Sequence, residues 1–136
     1  MIQYLGEAKR IEISQEMDVA YVALDAKNYA ELIGFSITDQ YMISTAVSEL
    51  ARNIFIYAKT GAIILSSVQN DAIKGIQVVA EDSGPGIQDI EIAMQDKYST
   101  GGTLGVGLPG TKRLMDYFDI SSSCPKGTKV TARKWI

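Results

Sequence analysis

Hydrophobic and polar positions follow two periods along this chain, and each change of period marks an element. Residues 10 to 14, Arg-Ile-Glu-Ile-Ser, alternate and predict a short strand. After Asp18 the spacing widens. Val22, Ala26, Tyr29, Ala30 and Ile33 recur at helical intervals, which predicts a helix capped by Asp18 and stopped at Gly34. Thr38 and Asp39 suit the cap of a second helix, with Ile43, Ala46, Val47, Leu50, Ile54, Tyr57 and Ala58 as its buried stripe. Residues 62–68 and 73–80 are β-rich runs joined by the polar turn Gln69-Asn70-Asp71. A loop follows from Asp82, then a short helix over 89–94 and a Gly, Ser and Thr-rich stretch over 96–107. Leu108 to Tyr117 reads as a helix with Pro109 in its first turn, where proline is tolerated. Residues 119–123 and 128–134 complete the pattern as a hairpin about Pro125-Lys126-Gly127.

This order predicts an α+β domain, a two-layer α/β sandwich whose helices lie on one face of a mixed sheet. At 136 residues the chain can bury one core of its own. An apolar fraction of 46% with 21% charged residues argues against disorder. The net charge of −3 leaves no basic excess for a phosphate backbone, so no nucleic-acid partner is expected. A single cysteine excludes an internal disulfide and fits a reducing compartment. The start has no secretory pattern, and no apolar run reaches about 18 residues, so a cytoplasmic protein free of the membrane is expected. The chain has no histidine, which excludes histidine-based triads, phosphohistidine acceptors and histidine-ligated metals. Proton transfer then falls to Asp, Glu, Lys, Tyr or Cys.

Three places break the pattern. At about 100° per residue, Asn53 falls about 20° from Ala46, inside the apolar stripe of the second helix, and Glu49 about 40° from Asn53 at its edge. Burying an amide and a carboxylate without partners costs several kcal/mol in total. They form either a satisfied internal network or a ligand site, in which Asn supplies a hard oxygen for Mg²⁺ and Glu a base. The second place is Glu81 to Ile87, an acid and two glycines directly after an apolar strand. It is either a tight turn or a strand-end Asp82 that accepts from an exocyclic amine, with Gly84 admitting a flat ring and Gly86 setting the turn. The third is the glycine-rich stretch from Tyr98 to Gly110, either a surface loop or a phosphate cradle before a helix N-terminus.

That stretch contains two decoys. Gly105-Val-Gly-Leu-Pro-Gly110 matches the dinucleotide fingerprint, but the strand before it and the acid about 20 residues on are missing. Gly110-Thr111-Lys112 has the P-loop pair in the wrong order.

A metal and base site, an amine acceptor and a phosphate cradle together form the parts of a purine-nucleotide site. In order along the chain, Glu49-x-x-x-Asn53 resembles the N box of the Bergerat-fold (GHKL) ATPases. Asp82-x-Gly84-x-Gly86 resembles their first glycine box, and Gly105-x-Gly107-Leu108 the second. Gly127-Thr128 resembles the family's threonine beside the adenine-binding aspartate. The resemblance spans about residues 10 to 134. Ile54 departs from it, since many members have a small alanine after the box asparagine, and this bears on pocket shape rather than on metal binding.

The family also includes gyrase and the histidine kinases, which carry further domains or an acceptor histidine. This sequence is most similar to the small anti-sigma-factor kinases, and within them to the switch kinases of the bacterial stressosome. The resemblance implies that residues 1–136 form a single ATP-binding kinase domain acting on serine or threonine in a stress-signalling switch. It implies Glu49 as the base and Asn53 as the Mg²⁺ ligand. Nucleotide contacts would come from Asp82, Gly84, Gly86 and Thr128, with Gly101, Gly102, Gly105, Val106, Gly107 and Leu108 over the phosphates. It further implies ATP and Mg²⁺ as cofactors, STAS-domain scaffold proteins as substrates, and a PP2C-type phosphatase or other effector downstream. An anti-sigma factor that holds a sigma subunit, a binding module that keeps ATP without transfer, and a domain without nucleotide are the alternatives.

Overall fold

A computed structural model describes residues 1–84, 94, 107–123 and 126–136, apart from the Ser123 side chain. Its elements are β1 (Ile2–Ile13), α1 (Met17–Ile33), α2 (Ile37–Tyr57), β2 (Gly61–Asn70), β3 (Ile73–Asp82), α3 (Gly107–Leu114), β4 (Tyr117–Ser123) and β5 (Gly127–Trp135). The helix expected over 89–94 and most of the glycine-rich stretch over 96–107 lie outside the described residues.

The five strands form one sheet in the order β1-β2-β3-β5-β4. All four pairings are antiparallel, which corrects the mixed sheet expected from the sequence. The cause is the placement of the last hairpin. The chain crosses over from β3 to β4, so those two strands run the same way. β5 then turns back and inserts between them, pairing antiparallel with both.

The register gives each strand a helix-facing set. Ile63, Ala80 and Val130 form one row across β2, β3 and β5, and Leu65, Val78 and Ala132 the next. These residues join Val22, Ala26 and Ala30 of α1 and Ile43, Val47 and Leu50 of α2 in one core. Each large side chain buried there contributes about 1.5–3 kcal/mol relative to exposure.

Boundaries differ from expectation where polar groups decide them. α1 starts at Met17, and Asp18 sits in its first turn rather than at the cap. Its Oδ2 accepts from the N–H groups of Ser14 and Gln15, both at 2.9 Å. These backbone donors hold the Asp18 carboxyl below its ordinary range. α1 ends at Gly34 with φ 116°. α2 is capped by Ser36, whose hydroxyl accepts from Asp39 N at 3.2 Å, two residues before the expected cap. α3 stops at Leu114, because Asp116 N already donates to Arg133 O at 2.8 Å and Tyr117 joins the β5 ladder.

Candidate nucleotide site

Glu49 and Asn53 lie one turn apart in the C-terminal half of α2, which packs against both the sheet and α3. Glu49 is only 8% exposed. Burial of a carboxylate demands partners. Arg52 Nη1 donates to its Oε1 at 2.9 Å, and Gly107 N donates to its Oε2 at 3.4 Å. Gly107 opens α3, so Glu49 meets one of the N–H groups that a helix start leaves without an internal acceptor. The carboxylate thus ties α2 to the edge of the expected phosphate cradle. Asn53 is half-buried on the next turn.

Asp82 is the last residue of β3 and faces the same layer as the helices. Its Oδ1 accepts from Gly84 N at 2.9 Å, an Asx-type turn that ends the strand. The turn uses one oxygen and leaves the ligand reading of this loop open, since a carboxylate carries a second acceptor oxygen. At Gly84 a side chain would meet Ala58 Cβ at 2.5 Å, so this glycine lets the loop close under the end of α2. Thr128 lies opposite Asp82 in the ladder. Its Oγ1 is 3.0 Å from Ser122 Oγ, and that hydroxyl also donates to Gly127 O at 3.2 Å. Gly127 adopts φ 117°, and a Cβ there would lie 2.1 Å from Asp82 O, so only glycine brings β5 this close to Asp82.

Two clusters result. Asp82, Gly84, Thr128 and Ser122 gather at one end of the sheet, and Glu49 and Gly107 meet where α2 touches α3. Ile54 of α2 and Ala58, which caps its C-terminus, link them through the close approaches at Gly61 and Gly84. Leu108 buries its side chain in the core, so what it can offer a phosphate is backbone at the start of α3. Gly86, Gly101, Gly102, Gly105 and Val106 lie outside the described residues. Arg52 and Ser122 were not assigned from sequence. Arg52 had a signal, a cation three residues after Glu49 on one helix. Ser122 had none, because its partnership with Thr128 depends on the β4–β5 register.

Among the described residues no cluster of three or more His, Cys, Asp or Glu could hold a metal ion. A nucleotide-borne Mg²⁺ needs little from the protein, since phosphates and water fill most of its octahedron. Asn53, with one hard amide oxygen beside Glu49, fits that demand. No helix among the described residues is long and apolar enough to cross a membrane.

Residues 13–134 match the family model for the histidine kinase-like ATPase domain. The chain belongs to this family. It is 46% identical over 132 residues to the serine/threonine-protein kinase RsbT of Bacillus subtilis, covering 97% of this chain and 99% of that protein. It is 32% identical over 136 residues to an anti-sigma F factor of Caldanaerobacter subterraneus, covering 96% of this chain and 92% of that one. Among solved structures, the mycobacterial sensor histidine kinase MprB shares the fold at a TM-score of 0.56 and 15% identity, covering 95% of this chain and 97% of that one. The protein is an ATP-using enzyme of the kinase type, in the branch that contains RsbT and the anti-sigma F factors.

Proposed function

We propose that the chain is a single-domain cytoplasmic serine/threonine-protein kinase of a bacterial stress-signalling switch. It transfers the γ-phosphoryl group of ATP to a hydroxyl on a STAS-domain scaffold protein, and afterwards activates a PP2C-type phosphatase or another effector. The observation that carries this reading is the buried Glu49 carboxylate held between Arg52 and the Gly107 N–H, one turn before Asn53.

The roles follow from the chemistry of each group. Asp82, with Oδ1 bound to Gly84 N, takes the adenine amine on its other oxygen, and Thr128 supports it. Asn53 is the protein ligand for Mg²⁺, which when bound neutralises phosphate charge. Gly101 to Gly107 and the first turn of α3 offer backbone N–H groups to the phosphates. The acceptor oxygen bonds to the γ-phosphorus, while the bond from that phosphorus to the β–γ bridging oxygen breaks. ADP leaves with the electron pair, and the hydroxyl proton passes to Glu49. Arg52 positions Glu49.

The test is labelled ATP with STAS-domain proteins of the same organism, and mass spectrometry to locate the phosphate. Normal ATP binding with no transfer to any such protein would leave an ATP-holding module in place of a kinase. The anti-sigma F factor relatives favour one second reading, an anti-sigma factor that also phosphorylates its antagonist. A sigma subunit bound tightly to the purified chain would select it.

A further inference from the structure

Of the large apolar side chains exposed among the described residues, half fall on α1 and the first turns of α2. Isolated exposed apolar residues need no explanation, but these are ordered. Projected at about 100° per residue, Met17, Tyr21, Leu24 and Leu32 fall within about 80° of each other, roughly opposite the buried Val22, Ala26 and Ala30. Their exposures are 56%, 58%, 56% and 88%. Positions 17, 21, 24 and 28 alternate steps of four and three, the spacing of a coiled-coil seam, with Asn28 as its polar member. The seam runs about 22 Å at 1.5 Å per residue. α2 flanks it: Ser44 Oγ donates to Ala23 O at 3.0 Å, and Lys27 Nζ lies 5.3 Å from the centre of the exposed Tyr41 ring.

We infer that the outer face of α1 is a docking seam for a basic amphipathic helix carried by a partner protein. Charge selects this occupant. Residues 16 to 33 hold four acids, Glu16, Asp18, Asp25 and Glu31, against the single base Lys27, and of the four Asp25 also meets Lys9 of β1 at 3.7 Å. This segment accounts for the whole net charge of −3, and the remainder of the chain is balanced. A second copy of the chain would bring acid against acid along the seam. A helix with apolar residues at the same spacing, flanked by Lys or Arg, matches both the shape and the charge. The inference does not depend on the phosphoryl-transfer reading, because no seam residue belongs to the nucleotide site.

The test uses the full chain and a labelled, monomeric helical peptide of about four heptads, with Leu and Ile on its seam and Lys flanking it. Fluorescence anisotropy should show saturable binding. The same peptide flanked by Glu should bind at least tenfold more weakly, as should the Leu24→Ser and Tyr21→Ser variants with the Lys peptide. Tyr117→Ser, on the opposite face of the sheet, should bind like wild type. Should Leu24→Ser fail to fold, Glu31→Lys reads the same surface through charge, with at least a threefold loss expected. Amide shifts on titration should concentrate on α1 and the first turns of α2. Equal binding of the Glu-flanked peptide, undiminished binding by the folded seam variants, or shifts centred elsewhere would overturn the proposal. So would sedimentation showing a wild-type dimer that Leu24→Ser dissociates, since the occupant would then be a second copy.

Discussion

The two long helices break amphipathic patterning in opposite directions. α2 carries polar groups inward. Gln40 is buried and donates to Phe35 O at 2.9 Å, and Glu49 is buried against Arg52 and Gly107. α1 carries apolar groups outward along its length, on the side away from its own core, whereas α2 does so only near its ends, at Ile37, Tyr41 and Tyr57. Both of these buried groups find partners, as the cost of an unpaired buried polar group requires. The outward ones are tolerated by folding and bear on what else the molecule meets. On the two readings proposed above, burial of charge in α2 concerns chemistry within the domain, and exposure of carbon on α1 concerns contact between molecules.

The largest test of this contrast removes the inward carboxylate. Glu49→Ala should keep ATP affinity, read by calorimetry, and lose about 10²–10⁴-fold in single-turnover transfer if Glu49 is the base. A wild-type transfer rate would move the base elsewhere. At the other end of the proposed nucleotide pocket, Asp82→Asn should weaken ATP binding strongly. The new side-chain oxygen is needed by Gly84 N–H, so the amide nitrogen would face the adenine amine, donor against donor. Equal affinity by calorimetry would remove Asp82 from the adenine contact. One residue type then measures the two helices against each other. Leu50→Ala, in the core face of α2, should cost about 2–5 kcal/mol in urea unfolding, and Leu24→Ala within about 0.5 kcal/mol of nothing. A comparable cost at both positions would mean that the α1 seam is packed in solution.

The smallest effect lies at the start of α1. The folded Asp18 carboxyl is depressed by the N–H groups of Ser14 and Gln15, so its stabilisation is present above the unfolded carboxylate range, near about 4. It is lost as pH falls through the lower folded value. The stability difference between wild type and Asp18→Asn should be small at pH 7 and vanish in strong acid. A difference that grows on acidification would contradict the assigned bonds.

How far the sequence could be read depends on burial. α2 is legible over most of its length because Ile43, Ala46, Val47, Leu50 and Ile54 all face the core, so its period is strong and its polar exceptions stand out. Asp82 is legible because an acid directly after an apolar strand is conspicuous. The first eight residues of β1 are not legible as strand. They lie on a sheet edge with little burial and are held by the ladder to β2, with an irregularity between Leu5 and Lys9. The place of β5 between β3 and β4 is equally hidden, since no local period records which strands a distant hairpin will join. Arg52 and Ser122 acquire their roles only from neighbours brought by the fold.

The position of β5 has a consequence for how the molecule is made. β5 is an interior strand of the sheet that follows both of its neighbours in the sequence, so it must enter between two strands already translated. Until residues 127–135 leave the ribosome, β3 and β4 each lack their shared partner, and Thr128 cannot come to rest opposite Asp82. A nascent chain that stalls before this strand therefore presents two unpaired inner edges to the cell, with the hazard of mispairing that open edges carry.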